Sequence, residues 1–156
     1  MRITLANADD YKKLVYVLNE TALDLHNKGI KQWEYPWNEN EILNQIKSSY
    51  LYTVSVDERI IGTFGIKNID SLSVCEIQPN SQYLYQLAIL PEYQGNGYGR
   101  AIIEWACGYV REKDKALYLD CWSGNGNLKS FYQENGFHYE GDFPEEDYYI
   151  SVFKMN

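Results

Sequence analysis

Apolar and polar positions along this chain switch between a period of two and a period near 3.6, and each switch predicts an element boundary. Arg2 to Ala6 alternates as a short first strand. Asn7 then stands where it can cap a helix whose apolar positions Leu14, Leu18, Ala22 and Leu25 recur at helical spacing, with Gly29 ending or bending it. A second helix is predicted from Asn38, where Glu41 three residues on gives a capping-box-like pattern and Ile42 with Ile46 forms a buried stripe. Between Tyr50 and Ile66 the period returns to two, with Leu51, Thr53 and Ser55 on one face and Tyr52, Val54 and Val56 on the other. The polar turn Asp57 to Arg59 then joins a second β-rich run, which predicts a hairpin. Asn68 to Gln82 is polar and irregular, contains Pro79, and reads as a loop.

The stretch from Tyr83 to Arg111 organises the rest of the chain. An apolar strand runs into Pro91, then a glycine-rich turn, then a helix with Ile103, Ala106, Cys107 and Val110 on one face. Leu117, Leu119 and Cys121 next alternate with Tyr118, Asp120 and Trp122 in another strand. A short helix over Leu128 to Glu134 is closed by Gly136, which suits the left-handed position after a helix. Two strands, Phe137 to Phe143 and Tyr148 to Met155, are separated by the acidic loop Pro144 to Asp147. The predicted order is strand, two helices, three strands, helix, strand, helix, two strands. The strand–helix–strand unit around the glycine turn needs a parallel pairing and the hairpins supply antiparallel ones, so the sheet is mixed and the class is α/β (α+β).

Composition narrows the possibilities. A length of 156 residues predicts a single domain over 1–156, and no repeat, low-complexity tract or linker interrupts it. A formal charge of -8 and an isoelectric point of about 4.7 argue against a broad footprint on nucleic acid or an anionic membrane. No run approaches the roughly 18 apolar residues of a membrane span, so a cytoplasmic protein is expected. Cys75, Cys107 and Cys121 lack metal-ligand spacing and read as buried reduced thiols. His26 and His138 belong to no catalytic or ligating group, so no metal is expected.

Gly95, Gly97 and Gly99 sit at GxGxG spacing within QGNGYG. A P-loop would end in Gly-Lys followed by Ser or Thr, and a dinucleotide fingerprint would read GxGxxG with an acidic residue about twenty positions on. The turn matches neither, and by itself it is read either as a tight turn or as a phosphate cradle at a helix N-terminus.

A second segment changes that balance. LAILPEYQGNGYG together with NGNLKSFYQENGF resembles the two signature regions of the GCN5-related N-acetyltransferase (GNAT) family. Gln94, Gly97 and Gly99 fill the first pattern, and Asn125, Tyr132, Gly136 and Phe137 fill the second. The GIKQW segment is also similar to a Gly-Ile-x-Gln-Trp found in uncharacterised bacterial members. The resemblance implies a mixed, mainly antiparallel sheet of six to seven strands flanked by about four helices, with the fourth and fifth strands splayed. It implies acetyl-CoA as donor, with its pyrophosphate on backbone N–H groups of Gln94, Gly95, Asn96, Gly97, Tyr98, Gly99 and Arg100. Gln94 either braces the loop or touches the ligand, and Arg100 is either a phosphate-side charge or a solvated helix residue. Backbone contacts to pantetheine would come from Leu87 and Ile89, and a side-chain contact from Asn125.

By the same resemblance, transfer is direct and Tyr132 protonates the leaving thiolate, which an ordinary phenol can do at neutral pH. For the base, Glu76, Glu145, Glu146, Asp147 and a water relay all stay open. Trp33, Tyr35 and Trp37 are expected either to wall the acceptor site for a small-molecule or peptide amine or to pack in the core. Two further readings remain: an acyl-CoA-binding sensor or scaffold without turnover, and an unrelated nucleotide-binding domain. A homodimer is possible if the tyrosine-rich last strand lies at a sheet edge.

Overall fold

The computed structural model describes residues 1–30 and 32–155, so Lys31 of the GIKQW segment and Asn156 lie outside the described residues. In chain order the elements are β1 (Arg2–Leu5), α1 (Tyr11–Asn27), α2 (Glu39–Lys47), β2 (Leu51–Val56), β3 (Arg59–Ile69), β4 (Ser81–Ile89), α3 (Tyr98–Glu112), β5 (Leu117–Trp122), α4 (Gly126–Glu134), β6 (His138–Glu145) and β7 (Tyr148–Met155). The strands form a seven-stranded sheet in the order β1-β2-β3-β4-β5-β7-β6. The predicted order of elements and the mixed sheet are both found. The chain divides into two compact units, Met1–Ile66 with Gln86–Gly99, and Lys67–Tyr85 with Arg100–Asn156.

In the first unit, local chemistry sets the helix ends. Asn7 and Asp10 form a reciprocal capping box around a single 3₁₀ turn, Asn7 Oδ1 accepting from Asp9 N–H and Asp10 Oδ2 from Asn7 N–H, and α1 grows out of that turn. α1 buries Leu14, Val15, Val17, Leu18, Thr21 and Ala22. It stops at Gly29, whose φ of +79° lets its N–H reach His26 O (3.0 Å) while Ile30 N–H reaches Leu25 O (2.9 Å). α2 starts where predicted, with Asn38 Oδ1 accepting from Glu41 N–H, and buries Ile42 and Ile46. Ile42 and Ile46 join Leu14, Val15, Val17 and Leu18 of α1 and Ala6, Leu51, Ala88 and Leu90 in one core cluster, with Trp33 and Trp37 packed against it.

β1 pairs antiparallel with β2, and β2 with β3. The hairpin turn is only Asp57 and Glu58, both at positive φ. Arg59, expected in the turn, instead pairs with Val56 as the first residue of β3. A bulge between Val54 and Ser55 interrupts the strict alternation. A Cβ on Gly62 would lie 2.8 Å from Ala88 O, so the backbones of β3 and β4 approach as closely there as glycine permits.

In the second unit, β4 and β5 pair in parallel at Gln82↔Leu117 and Tyr83↔Tyr118, and β5 and β6 each pair antiparallel with β7. The face of β5 and β7 carrying Tyr118, Ile150 and Val152 forms a second cluster with Ala116 and Cys75, and Tyr83 and Phe143 pack against it. The loop predicted from Asn68 to Gln82 is shorter, because β3 continues to Ile69 and β4 begins at Ser81. The acidic loop likewise contracts to Glu146 and Asp147, with Pro144 and Glu145 paired to Tyr149 and Tyr148. Pro144 is tolerated there because β6, not the last strand, is the sheet edge, and an edge strand has N–H groups that need no ladder partner. β7 lies between β5 and β6, so the expected pairing of a second copy on the last strand has no free edge to use.

Candidate functional site

The glycine turn leaves β4 through Leu90, whose N–H donates to Ile61 O at 2.8 Å. Alternation then directs the N–H and C=O of Ile89, and those of Leu87 two residues back, away from β3. Ile89 is buried, and its carbonyl accepts from Gln94 Nε2 at 2.9 Å and from Thr21 Oγ1 at 3.4 Å. Gln94 therefore braces the turn against the strand from which it departs. Asn96 Nδ2 closes the loop from within by donating to Tyr93 O (3.1 Å) and Gln94 O (3.4 Å). Arg59 holds the preceding 3₁₀ turn through Glu92 (3.0 Å) and Tyr93 (3.1 Å).

Gly95 and Gly97 have φ of +80° and +85°, and a Cβ on either would meet nothing within 4 Å. Conformation, not space, demands glycine at both, and the result is a bare backbone surface leading into α3. The first N–H groups of α3, which include those of Tyr98, Gly99 and Arg100, have no acceptor one turn back, and the helix dipole adds partial positive charge to them. A polyanion such as a pyrophosphate fits that donor set. The Arg100 side chain forms an exposed pair with Glu104 at 3.2 Å.

The second signature lies on one short helix and its caps. Asn125 is the N-cap of α4, its Oδ1 accepting from Leu128 N–H at 3.1 Å. Gly136, at φ +92°, donates to Gln133 O, and Phe137 N–H donates to Tyr132 O, each at 3.1 Å. That is the helix stop in which the residue two beyond the cap packs on the residue of the last turn that accepts its N–H. Here those residues are Phe137 and Tyr132, with ring centroids 6.1 Å apart. Asn125, Tyr132, Gly136 and Phe137 are thus the start, a face residue and the stop of one helix, and together they fix where the phenol points. The Tyr132 ring also meets Phe153 edge-on at 5.5 Å. Burial, with Cys121 and Asp120 nearby, raises its pKa, so the hydroxyl keeps its proton at neutral pH.

Sequence reasoning missed the carboxylate in this unit with the most perturbed environment. Asp120 on β5 accepts a hydrogen bond from the Tyr83 hydroxyl at 2.9 Å. Burial pushes its pKa from 3.8 up to about 6; the Tyr83 bond opposes the rise and Glu145 adds to it. Tyr83 is itself raised well above 10 by burial and by Asp120. The only signal in the sequence was a carboxylate on a strand face otherwise carrying Tyr118 and Trp122. Of the acids expected as bases, Glu76, Glu146 and Asp147 are exposed and Glu145 is half-buried.

Trp33 and Trp37 contact edge to face at 5.4 Å, and the backbone N–H of Trp37 donates to Asn19 Oδ1 at 2.8 Å. Tyr35 is 47% exposed, whereas both tryptophans also pack on the core. Cys75, Cys107 and Cys121 are free and buried. Among the described residues no group of His, Cys, Asp and Glu could hold a metal, and no helix is long and apolar enough to cross a membrane.

The profile of the acetyltransferase (GNAT) family matches residues 14–137, which include the glycine turn, α4 and its stop. The chain belongs to the GNAT family. Two similar relatives of this GNAT chain are bacterial. One is an uncharacterised N-acetyltransferase in the pepI 3′ region of Lactobacillus delbrueckii subsp. lactis, 26% identical over 87% of this chain and 83% of the relative. The other is the uncharacterised N-acetyltransferase YesJ of Bacillus subtilis, 24% identical over 85% and 79%. Among solved structures, a GNAT acetyltransferase from Streptococcus agalactiae superposes with a TM-score of 0.84 at 16% identity, covering 98% of this chain and 93% of the other. The PaiA N-acetyltransferase of Thermoplasma acidophilum, solved in complex with coenzyme A, superposes at 0.75 with 22% identity, covering 99% and 98%. These likenesses establish the fold, and membership places the chain among acyltransferases.

Proposed function

We propose that this GNAT chain moves an acetyl group from acetyl-CoA to an amine of a small molecule or peptide, residues 1–156 acting as one cytoplasmic N-acetyltransferase domain. The observation that carries the reading is the glycine turn: two left-handed glycines, a Gln94 brace and the open N-terminus of α3 form a donor-rich, side-chain-free surface suited to a pyrophosphate. The outward-facing N–H groups of Leu87 and Ile89 suit an added strand such as pantetheine, with the Ile89 carbonyl already held by Gln94.

In the reaction the amine nitrogen bonds to the thioester carbonyl carbon, the C–S bond breaks, and the thiolate takes a proton from Tyr132. Buried and protonated, Tyr132 is suited to that step. Asn125 contributes by capping α4 and so placing Tyr132. Trp33, Tyr35 and Trp37 would wall the acceptor. Among the described residues the buried indole N–H of Trp37 has no hydrogen-bond partner, which supports a polar contact there.

Calorimetry with acetyl-CoA and CoA, with ATP and NAD as competitors, tests the donor. Strong CoA binding that ATP and NAD do not displace is expected, and absence of CoA affinity ends the reading. Thiol release over a panel of polyamines, aminoglycosides, amino acids and peptide N-termini tests transfer. Binding without release would favour a sensor module. Tyr132→Phe should lower turnover and leave donor affinity intact.

A further inference from the structure

We propose that the Asp120 carboxylate is the base that takes the proton from the acceptor ammonium, held in place by the Tyr83 hydroxyl. The assignment rests on the transferase reading above. It follows from how β5 divides its two faces. Phe153, which meets the Tyr132 ring, pairs with Leu119, whereas Asp120 pairs with Val152, so Asp120 and Leu119 point to opposite faces of the sheet. Within this unit Tyr132 thus serves one face of β5 and Asp120 the other. A direct transfer needs a proton acceptor for the nitrogen and a proton donor for the sulfur, and this unit supplies one of each, Asp120 and Tyr132, within electrostatic reach of one another.

The groups that bear on Asp120 or on the side chain beside it are Tyr83 on β4, its own neighbour Cys121, Tyr132 and Lys129 on α4, and Glu145 on β6. Tyr148 on β7 also feels its charge. Lys129 acts on Cys121, and neither of the groups that bear on Asp120 itself, Tyr83 and Glu145, is a cation, so Asp120 has a hydroxyl partner but no counter-ion among them. An incoming ammonium supplies the missing positive charge. The proton then passes from nitrogen to Oδ and on to solvent, the neutral amine attacks the carbonyl carbon, and the second nitrogen proton, released as the C–S bond breaks, replaces the one that Tyr132 gives to sulfur. The environment that lifts Asp120 toward 6 makes it roughly a hundredfold stronger as a base than an ordinary aspartate. Tyr83 is a positioning residue, fixing the carboxylate through one oxygen.

The test compares thiol release from acetyl-CoA with benzylamine, protonated at pH 7, and O-methylhydroxylamine, already neutral there. Asp120→Asn should slow the benzylamine reaction at least about 100-fold and the O-methylhydroxylamine reaction less than about tenfold, with CoA affinity unchanged. Tyr83→Phe should shift the acid limb of the benzylamine profile, near pH 6 in the native protein, to higher pH. Carbon-13 titration of the Asp120 carboxyl should move with it. Equal losses with both amines, or no loss with either, would overturn the proposal while leaving the transferase reading intact. If the native protein binds CoA yet releases no thiol with any amine, the transferase reading fails and the base assignment fails with it.

Discussion

The Asp120 carboxylate makes a thermodynamic prediction that does not depend on any substrate. Its pKa is lifted from 3.8 to about 6 in the folded chain, chiefly by burial. The folded state therefore binds this proton more tightly than the unfolded state, and stability falls as pH rises from about 4 through 6, then stays low. At about 1.36 kcal/mol per unit, a shift of about two units costs the native state about 3 kcal/mol above pH 6 and under about 1 kcal/mol at pH 4. Asp120→Asn removes the charge while keeping an oxygen that can accept from Tyr83, so it should stabilise the protein by about 1–3 kcal/mol at pH 8. That corresponds to about 2–10 °C in melting temperature for a chain of this size. At pH 4 the two proteins should differ by less than about 1 kcal/mol. Urea unfolding of both proteins at pH 4 and pH 8 measures the difference, and the other titrating groups cancel between them. A variant no more stable than the native protein at pH 8, or a gap of equal size at both pH values, would refute the reasoning. Stabilisation at pH 8 together with loss of transfer is the outcome expected if the proposed base is kept buried at a cost to the fold.

Gly97→Ala should weaken CoA binding measurably by calorimetry, because the new Cβ meets no neighbour yet the left-handed φ of +85° costs an alanine about 1–2 kcal/mol. Gly62→Ala should destabilise the fold by about 1–3 kcal/mol in urea unfolding, since its Cβ would press on Ala88 O, which is backbone and cannot rotate aside. Asn125→Ala should cost about 1 kcal/mol in the same assay, and Asn125→Asp should restore most of it, because an aspartate can also accept from Leu128 N–H. Replacing Arg100 by alanine should change stability by less than about 0.5 kcal/mol, its pair with Glu104 being solvent-exposed.

How legible each feature is in the sequence depends on the range of the interaction that fixes it. The stop of α1 at Gly29 and the whole of α4, from its Asn125 cap to Gly136 and Phe137, are set by bonds spanning three to five residues, and a sequence displays those directly. Strand ends are less legible, because ladder hydrogen bonds belong to the backbone and are indifferent to side chains. The polar residues at Asn68 and Gln82 thus hid the continuation of β3 and the early start of β4. The Gln86 conformation was hidden as well: at φ +52° it breaks the regularity of β4 without a glycine to announce it, and it is held by a reciprocal amide pair with Gln45, forty-one positions away. Asp120 belongs to the same class. Alternation assigned it correctly to a face of β5, but its raised pKa comes chiefly from burial, with Glu145 adding to it and the Tyr83 bond opposing it, and these arise only once β4, β5, β7 and β6 are ordered in the sheet. The proposed acid and the proposed base are therefore unequally visible for a physical reason. Tyr132 is placed by a helix that carries its own start and stop signals, whereas Asp120 acquires its raised pKa chiefly from burial by elements distant in sequence, and no local pattern marks it.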